Sequence, residues 1–492
     1  MLWLLLACTT TTPKLIEPGE NGGVTEPPPP PAYAISLAGA DTLDPLLAPT
    51  LTSTVAQAEG DAVRVEILDA AGAVVATLAD GTSLVDSVTW DGLDSLGAVA
   101  SIGDYTERAT LLADGAEVAT TERPVHVVRV GILNGTLGGA DRVPLIWHRA
   151  GRNGQYFEAG AETLTFSVAA IDDGVTATPI PAVWADLDSP PKEPVGVNLP
   201  AAYPFDAVPT LTLTRAGDPA GAEVSVQIDG WTCADNGDST TTCTSDTPLA
   251  NTVGVVETTL AARWTTPAGP FAEQAIPLRI YALYDLPGFE ETGVPYQPWV
   301  AVVDPLLRAI QGVEPTQKAV ADATVAFIFH EQELAYDTRY GASAYVQYGW
   351  NSYDDAVFDL TSYLSRDNGS TINCTDCAAI MQAFGNMIGL PVSYTIILQN
   401  FDLNYIQAIG YDTFTHCPFG GRGCGFSYHA VTTMDDNTTI YDATLALDGD
   451  DDPSNSPFTE LLVQGVPGEE YLDRLVMSGQ AGYYYTQQGA IQ

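Results

Sequence analysis

Residues 373–391 read NCTDCAAIMQAFGNMIGLP, and their reading decides how the C-terminal part of the chain folds. Between Thr375 and Ile388 there is no proline and one glycine, Gly385, while Ile380, Met381, Phe384, Met387 and Ile388 recur at three- and four-residue intervals. That spacing predicts an amphipathic helix with these five side chains on its buried face. Asn373 or Thr371 can cap its start, Asp376 falls in the first turn where negative charge suits the dipole, and Gly389 followed by Pro391 ends it. Cys374 therefore sits at a helix N-terminus, a position where orphan N–H groups and the positive dipole end stabilise a thiolate. Read as a structural residue, it would be a small buried hydrophobe.

Downstream, residues 426–434 read FSYHAVTTM, an alternating strand, and residues 438–444 read TTIYDAT, a second one, with a polar turn between. An antiparallel hairpin turning at Asp436 and Asn437 pairs Met434 with Thr439, Val431 with Asp442 and His429 with Thr444. His429 and Asp442 are then diagonal neighbours on one face, roughly 7 to 8 Å apart at the backbone. A register slip of one residue would send them to opposite faces. Cys, His and Asp, in that order, supply a nucleophile, a proton carrier and a group that fixes the imidazole tautomer.

Cys374, Asp376 and Ala378, followed by Gly389-Leu390-Pro391, resemble the core signature of the transglutaminase-like superfamily. His429-Ala430 and Asp442-Ala443-Thr444 are similar to that family's His-Ala-Trp and Asp-Pro-Thr segments, with Val431 where the family has Trp and Cys377 where it has an aromatic. The resemblance covers residues 295–492. It implies an α+β, papain-like domain in which Cys374 is the nucleophile, His429 the base and Asp442 the orienting acid. The implied chemistry is acyl transfer at amide bonds of proteins or peptides through a thioester, with no cofactor; cross-linking, deamidation and peptide hydrolysis all fall within it.

The seven cysteines frame the alternatives. Cys233 and Cys243 flank a polar loop, and Cys417 and Cys424 close CPFGGRGC just ahead of His429, so each pair suits a local disulfide in an oxidising compartment. Cys374 and Cys377 remain, and a disulfide between them would cap the nucleophile. A structural zinc held by Cys374, Cys377, Cys417 and Cys424, with His416 nearby, is a second reading. A catalytically inactive binding or scaffold module is a third. A C-x-x-C dithiol needs a buried strand ahead of it, and residues 365–373, SRDNGSTIN, do not supply one.

The remaining chain reads as modules that carry this domain. Its 492 residues, 46% hydrophobic with mean hydropathy +0.06, suffice for about three cores. A formal charge of −44 argues against nucleic acid as a partner, because a phosphate backbone needs Lys and Arg. The N-terminus, MLWLLLACTTTT, holds Leu5-Leu6-Ala7-Cys8, which resembles a bacterial lipobox. That implies a signal peptide over 1–7, lipidation at Cys8, and a lipid-anchored protein of the cell envelope; a plain secretory signal is the other reading. Residues 8–32 are a Thr/Pro-rich tether ending in the five prolines Pro27 to Pro31. Location suggests envelope proteins or peptidoglycan peptides as substrates.

Residues 33–130 alternate as strands at Val63–Leu68 and Val74–Leu78, with turns at Asp80-Gly81, Asp91-Gly92 and Asp114-Gly115. Trp90, Asp91, Gly92, Gly97, Gly103 and Tyr105 resemble the FlgD-type immunoglobulin-like module, which implies a spacer or adhesive role. Residues 131–294, with strands at Leu164–Ile171, Pro209–Ala216 and Ala222–Ile228, read as a second β-sandwich. Asp235 and Asp238 suit turn chemistry or calcium there. The expected fold is thus multidomain: two all-β immunoglobulin-like sandwiches, then the α+β domain. Helical runs mark the change at Pro305–Val313, Thr316–Leu334 and Asp354–Arg366. His330 reads as core or surface, Tyr345, Tyr348, Trp350 and Tyr353 as packing or groove-lining residues. The acidic run Asp448–Asn455 reads as a solvated loop, because Pro453 and Thr459 stand where an EF-hand needs Gly and Glu.

Overall fold

Strict alternation sets the N-terminal architecture: in the strand Leu51–Ala58, Leu51, Ser53 and Val55 are buried while Thr52, Thr54 and Ala56 face out. The structure is a computed structural model that describes residues 32–45, 47–149, 156–158, 200–216, 224–237, 239–288, 298–347, 357–434, 438–479, 481–487 and 490–491. The 1–7 signal, Cys8, nearly all of the 8–32 tether, the expected strand Leu164–Ile171, Asp238, Tyr348, Trp350, Tyr353 and the Asp436-Asn437 turn lie outside the described residues.

A three-stranded sheet (Ala34–Gly39, Leu51–Ala58, Ser87–Trp90) and a five-stranded sheet (Thr42–Leu43, Ala116–Val127, Gly103–Ala113, Ala62–Leu68, Val74–Asp80) supply the first cores. Leu43, Ile67, Trp90, Val125 and Val127 fill one cluster, and Val55, Val63, Val65 and Leu111 another. Trp90 packs edge-on against Tyr105 at 5.6 Å between ring centroids and donates through Nε1 to Leu93 O at 2.9 Å. Asp91 and Asp94 accept backbone N–H groups two residues on, so these aspartates build turns.

Most described strands of 131–294 join one eight-stranded sheet rather than the two facing sheets that a sandwich implies. The cause is the long hairpin of Gly254–Thr266 with Gly269–Leu283, which serves two cores. Ala262, Trp264, Ile276 and Leu278 pack with Ile132, Leu211 and Leu213. Val255, Tyr281 and Leu283, at its other end, pack with the helices that follow. Cys233 and Cys243 are cross-strand partners joined by a disulfide, and Asp235 accepts from Arg215 and from Gly237 N.

The helices are α1 (Val300–Ala309), α2 (Gln317–Glu331), α3 (Leu360–Leu364), α4 (Cys374–Met387) and α5 (Gly468–Leu475). Thr316 caps α2 by accepting from Ala319 N, and Asp359 caps α3 by accepting from Ser362 N. All 14 residues of α4 are buried. This corrects the expected amphipathic helix: α1 and α2 cover one side, and an antiparallel sheet covers the other. The order in that sheet is Ile406–Ala408, Thr439–Asp448, Gly425–Thr433, Ser393–Leu403, Val476–Gly479. Glu460–Pro467 and Gly482–Gln487 add further pairings to it.

The end of α4 is satisfied from outside its own region. Tyr284 N and Asp285 N donate to Ile388 O at 2.9 and 3.2 Å, and Gly288 N to Asn386 O at 3.3 Å. The segment leaving the β-rich region therefore caps the last turn, supplying partners for carbonyls that a helix end leaves open. His330 is exposed, 3.9 Å from Glu460, and Tyr345 is buried edge-on to Tyr363. In the acidic loop the Asp448 side chain is buried, accepting from Thr459 N at 2.8 Å, while Asp450 to Asp452 stay more open. Among the described residues no helix is long and apolar enough to cross a membrane.

Candidate active site

The start of α4 is fixed by a reciprocal capping box: Asn373 Oδ1 accepts from Asp376 N at 3.1 Å, and Asp376 Oδ2 accepts from Asn373 N at 3.2 Å. Cys374 is the first helical residue, 3% exposed. It forms part of the wall of a cavity of about 360 Å³, lined also by Tyr336, Phe419, Phe426 and Tyr428. Cys374 is thus fixed by helix geometry at the wall of that space.

The hairpin behind it has Thr432 opposite Tyr441 and Thr433 opposite Ile440, the register expected from the sequence. His429 and Asp442 share a face, and His429 Nε2 lies 2.9 Å from Asp442 Oδ2. Both are essentially inaccessible to solvent. Thr444 N donates to Asp442 Oδ1 at 2.7 Å and the Tyr471 hydroxyl to Oδ2 at 2.9 Å, so the carboxylate is held from three directions. The His429 ring stacks on Phe426, 5.2 Å between centroids with a 12° interplanar angle. With Nε2 engaged by Asp442, the buried Nδ1 is the ring nitrogen left over, and Cys374 is near enough to act on the ring as a hydrogen-bond partner.

The electrostatics follow from that burial. Burial alone would lower the imidazole pKa, but the charge and hydrogen bond of Asp442, joined by the nearby Cys374, outweigh it and push His429 up to about 10. His429 therefore carries its proton at neutral pH. Cys377, one turn along α4, is wholly buried, which pushes its thiol well up; a hydrogen bond to Thr444 opposes this only in part. Burial also raises the Tyr336 phenol, reinforced by Cys374, Cys377, Tyr428 and Asp442. These groups thus form one electrostatic neighbourhood.

Cys374 and Cys377 are both free thiols, and Cys417 is joined to Cys424 by a disulfide. The four sulfurs of the zinc reading do not assemble: among the described residues the cluster is His416, Cys417 and Cys424, and the disulfide takes both of its sulfurs. Tyr336, Tyr428 and Tyr471 were not singled out from sequence. Tyr471 lies 29 positions beyond Asp442 on a short helix, and nothing local announces where its hydroxyl will reach.

No family model matches the chain, and no curated protein does. Among solved structures, the N-terminal eight immunoglobulin domains of Down syndrome cell adhesion molecule match at 11% identity and a TM-score of 0.15, over 51% of this chain and 28% of that one. Invasin, a bacterial integrin-binding protein, matches at 13% identity and a TM-score of 0.13, over 52% of this chain and 40% of that one. The chain spans less than half the length of either.

Proposed function

We propose that residues 295–492 form a transglutaminase-like cysteine acyltransferase or hydrolase of α+β, papain-like type. In this reading the immunoglobulin-like β modules act as spacers, and a lipid at Cys8 anchors the exported protein in the bacterial envelope. The observation that carries the catalytic part is the buried His429–Asp442 pair, 2.9 Å apart, behind a cavity that Cys374 lines. Two disulfides support an oxidising compartment.

With its proton resting on His429, the Cys374 sulfur attacks as a thiolate at the carbonyl carbon of an amide; an S–C bond forms and the carbonyl pair moves to oxygen. With Asp376 N already taken by Asn373 Oδ1, the oxyanion falls to an N–H group at the very start of α4. Collapse breaks the C–N bond, and the leaving amine takes the proton held by His429. Water or a second amine then adds to the thioester carbon, His429 accepts its proton, and the C–S bond breaks to return the Cys374 thiolate. Asp442 keeps Nε2 engaged, which leaves Nδ1 for the sulfur side.

The test is iodoacetamide labelling of the gently reduced protein from about pH 4 to about pH 9, with peptide mapping and a His429→Ala comparison. Rapid labelling of Cys374 well below the ordinary thiol value of about 8.5, lost in the variant, is the expected result. Slow labelling indifferent to His429 would mean a binding module without chemistry.

A further inference from the structure

The whole chain holds 18 Lys and Arg against 62 Asp and Glu, yet two guanidinium groups meet at the cavity that Cys374 lines. Arg339 and Arg422 both border it and flank one ring: their guanidinium carbons lie 4.8 and 5.1 Å from the centroid of Tyr340. Arg422 Nη1 donates to Arg339 O at 3.0 Å, which ties the two walls together. Most other described cations are paired with carboxylates, Arg263 with Asp229 and Arg308 with Asp304 among them. Among the described residues, neither Arg339 nor Arg422 has a carboxylate within ion-pair distance.

Asp337 is the acidic neighbour of Arg339, and it is committed elsewhere. Its oxygens accept from Arg339 N, Tyr340 N and Ala342 N at 2.9 to 3.1 Å. Burial raises its pKa, but those hydrogen bonds and the Arg339 charge outweigh it and hold the carboxyl below its usual range.

Both walls are built in advance. Asn373, the cap of α4, donates from Nδ2 to Gly341 O at 2.9 Å, so the turn carrying Arg339 is tied to the residue before Cys374. Gly341 has φ +59°, and a Cβ there would lie 3.2 Å from the Phe419 ring, so the two walls meet where a side chain would be strained and tight. The Cys417–Cys424 disulfide closes the loop that carries Phe419 and Arg422. Guanidinium forks recognise carboxylates through paired N–H donors, and the aromatic faces of Phe419, Phe426 and Tyr428 suit the apolar part of a peptide. A net charge of −44 repels anions at long range. A local pair of unmatched cations beside the nucleophile is therefore a selective feature.

We propose that this cavity selects a peptide acyl donor bearing a free carboxylate, gripped by Arg422 and Arg339 while the neighbouring amide faces Cys374. The inference rests on the acyl-transfer reading and narrows its substrate class.

The test compares alkylation of Cys374 by iodoacetate, an anion, with alkylation by neutral iodoacetamide. In both reactions the sulfur displaces iodide, so the ratio of the two rates cancels changes in the sulfur itself and reports the local field. Removing both guanidiniums in an Arg339→Gln/Arg422→Gln double variant is expected to lower that ratio roughly tenfold at low salt, with the gap closing in high salt. Arg263→Gln, which removes one charge on the eight-stranded sheet outside the cavity lining, is expected to leave the ratio as in the parent. A ratio unchanged in the double variant, or falling equally in Arg263→Gln, overturns the proposal. If Cys374 proves inert to both reagents, the acyl-transfer reading fails, and calorimetric binding of a short Glu-containing peptide and its all-amide analogue decides this inference separately. Carboxylate- and arginine-dependent binding sustains the carboxylate site; equal binding of the two peptides, or no binding, overturns it.

Discussion

The carboxylate of Asp376 accepts the backbone N–H of Tyr345 at 2.9 Å, a contact between positions 31 residues apart. The same side chain accepts from Ala344 N, Val346 N, Asn373 N and the Ser343 hydroxyl, at 2.7 to 3.2 Å. One buried carboxylate thus fastens the segment 343–346 to the turn that presents Cys374.

Replacing it exposes the dependence. Asp376→Ala leaves several buried donors without acceptors, each costing ~1–3 kcal/mol, so a loss of about 3 to 5 kcal/mol is expected. Thermal unfolding measures it, and the accelerated labelling of Cys374 should disappear with it. A loss under ~1 kcal/mol would show that water replaces these bonds freely, and the anchoring role would be abandoned.

The His429–Asp442 pair makes stability depend on pH in a defined direction. Folding raises the imidazole pKa from 6.5 to about 10, so the folded state holds the proton more tightly. The resulting stabilisation is fully present below the unfolded value and is lost as pH rises through the folded one. Melting temperature should therefore fall between pH 6.5 and about pH 10 more steeply in the parent than in Asp442→Asn, where the raising carboxylate is gone. Parallel melting curves for the two proteins across that window would refute the coupling.

The two disulfides should have separable consequences. Cys417 and Cys424 close a loop of separation 7 on the cavity wall, whereas Cys233 and Cys243 join neighbouring strands of the eight-stranded sheet. By loop-entropy arithmetic, losing either one costs about 2 to 3 kcal/mol. Only Cys417→Ser/Cys424→Ser should alter the iodoacetate preference at Cys374, because that loop carries Arg422. An equal change in Cys233→Ser/Cys243→Ser would locate the effect in global stability instead.

Local patterns made much of this site readable. The helix at 374–387, its Asn373 cap and its end before Gly389 follow from periodicity and capping chemistry, which act within a few residues. Hairpin alternation placed Thr432 opposite Tyr441 and so put His429 on the face of Asp442. What escaped depends on contacts between distant segments. Periodicity marks one apolar face of α4, but it does not report that α1, α2 and the sheet enclose the other faces as well, burying Gln382 and Asn386. The single eight-stranded sheet was likewise hidden, because a strand reads the same whether its neighbours form one sheet or two.

Gly389 offers the sharpest test of how α4 is held. Its φ of +89° lies where side chains are strained, and a Cβ on it would sit 2.3 Å from Asp285 O. The neighbouring Ile388 carbonyl accepts both Tyr284 N and Asp285 N, so the clash falls on the junction that ties α4 to the preceding sheet. Asp285 O belongs to the backbone and cannot rotate away. Gly389→Ala should therefore cost about 2 to 4 kcal/mol from strain and overpacking together. Hydrogen exchange should locate the damage: Tyr284 N and Asp285 N lose protection first, while Thr432 and Thr433 in the hairpin keep theirs. If all four amides lose protection equally, α4 and the hairpin unfold with the junction as one unit, and the junction is not a separable brace.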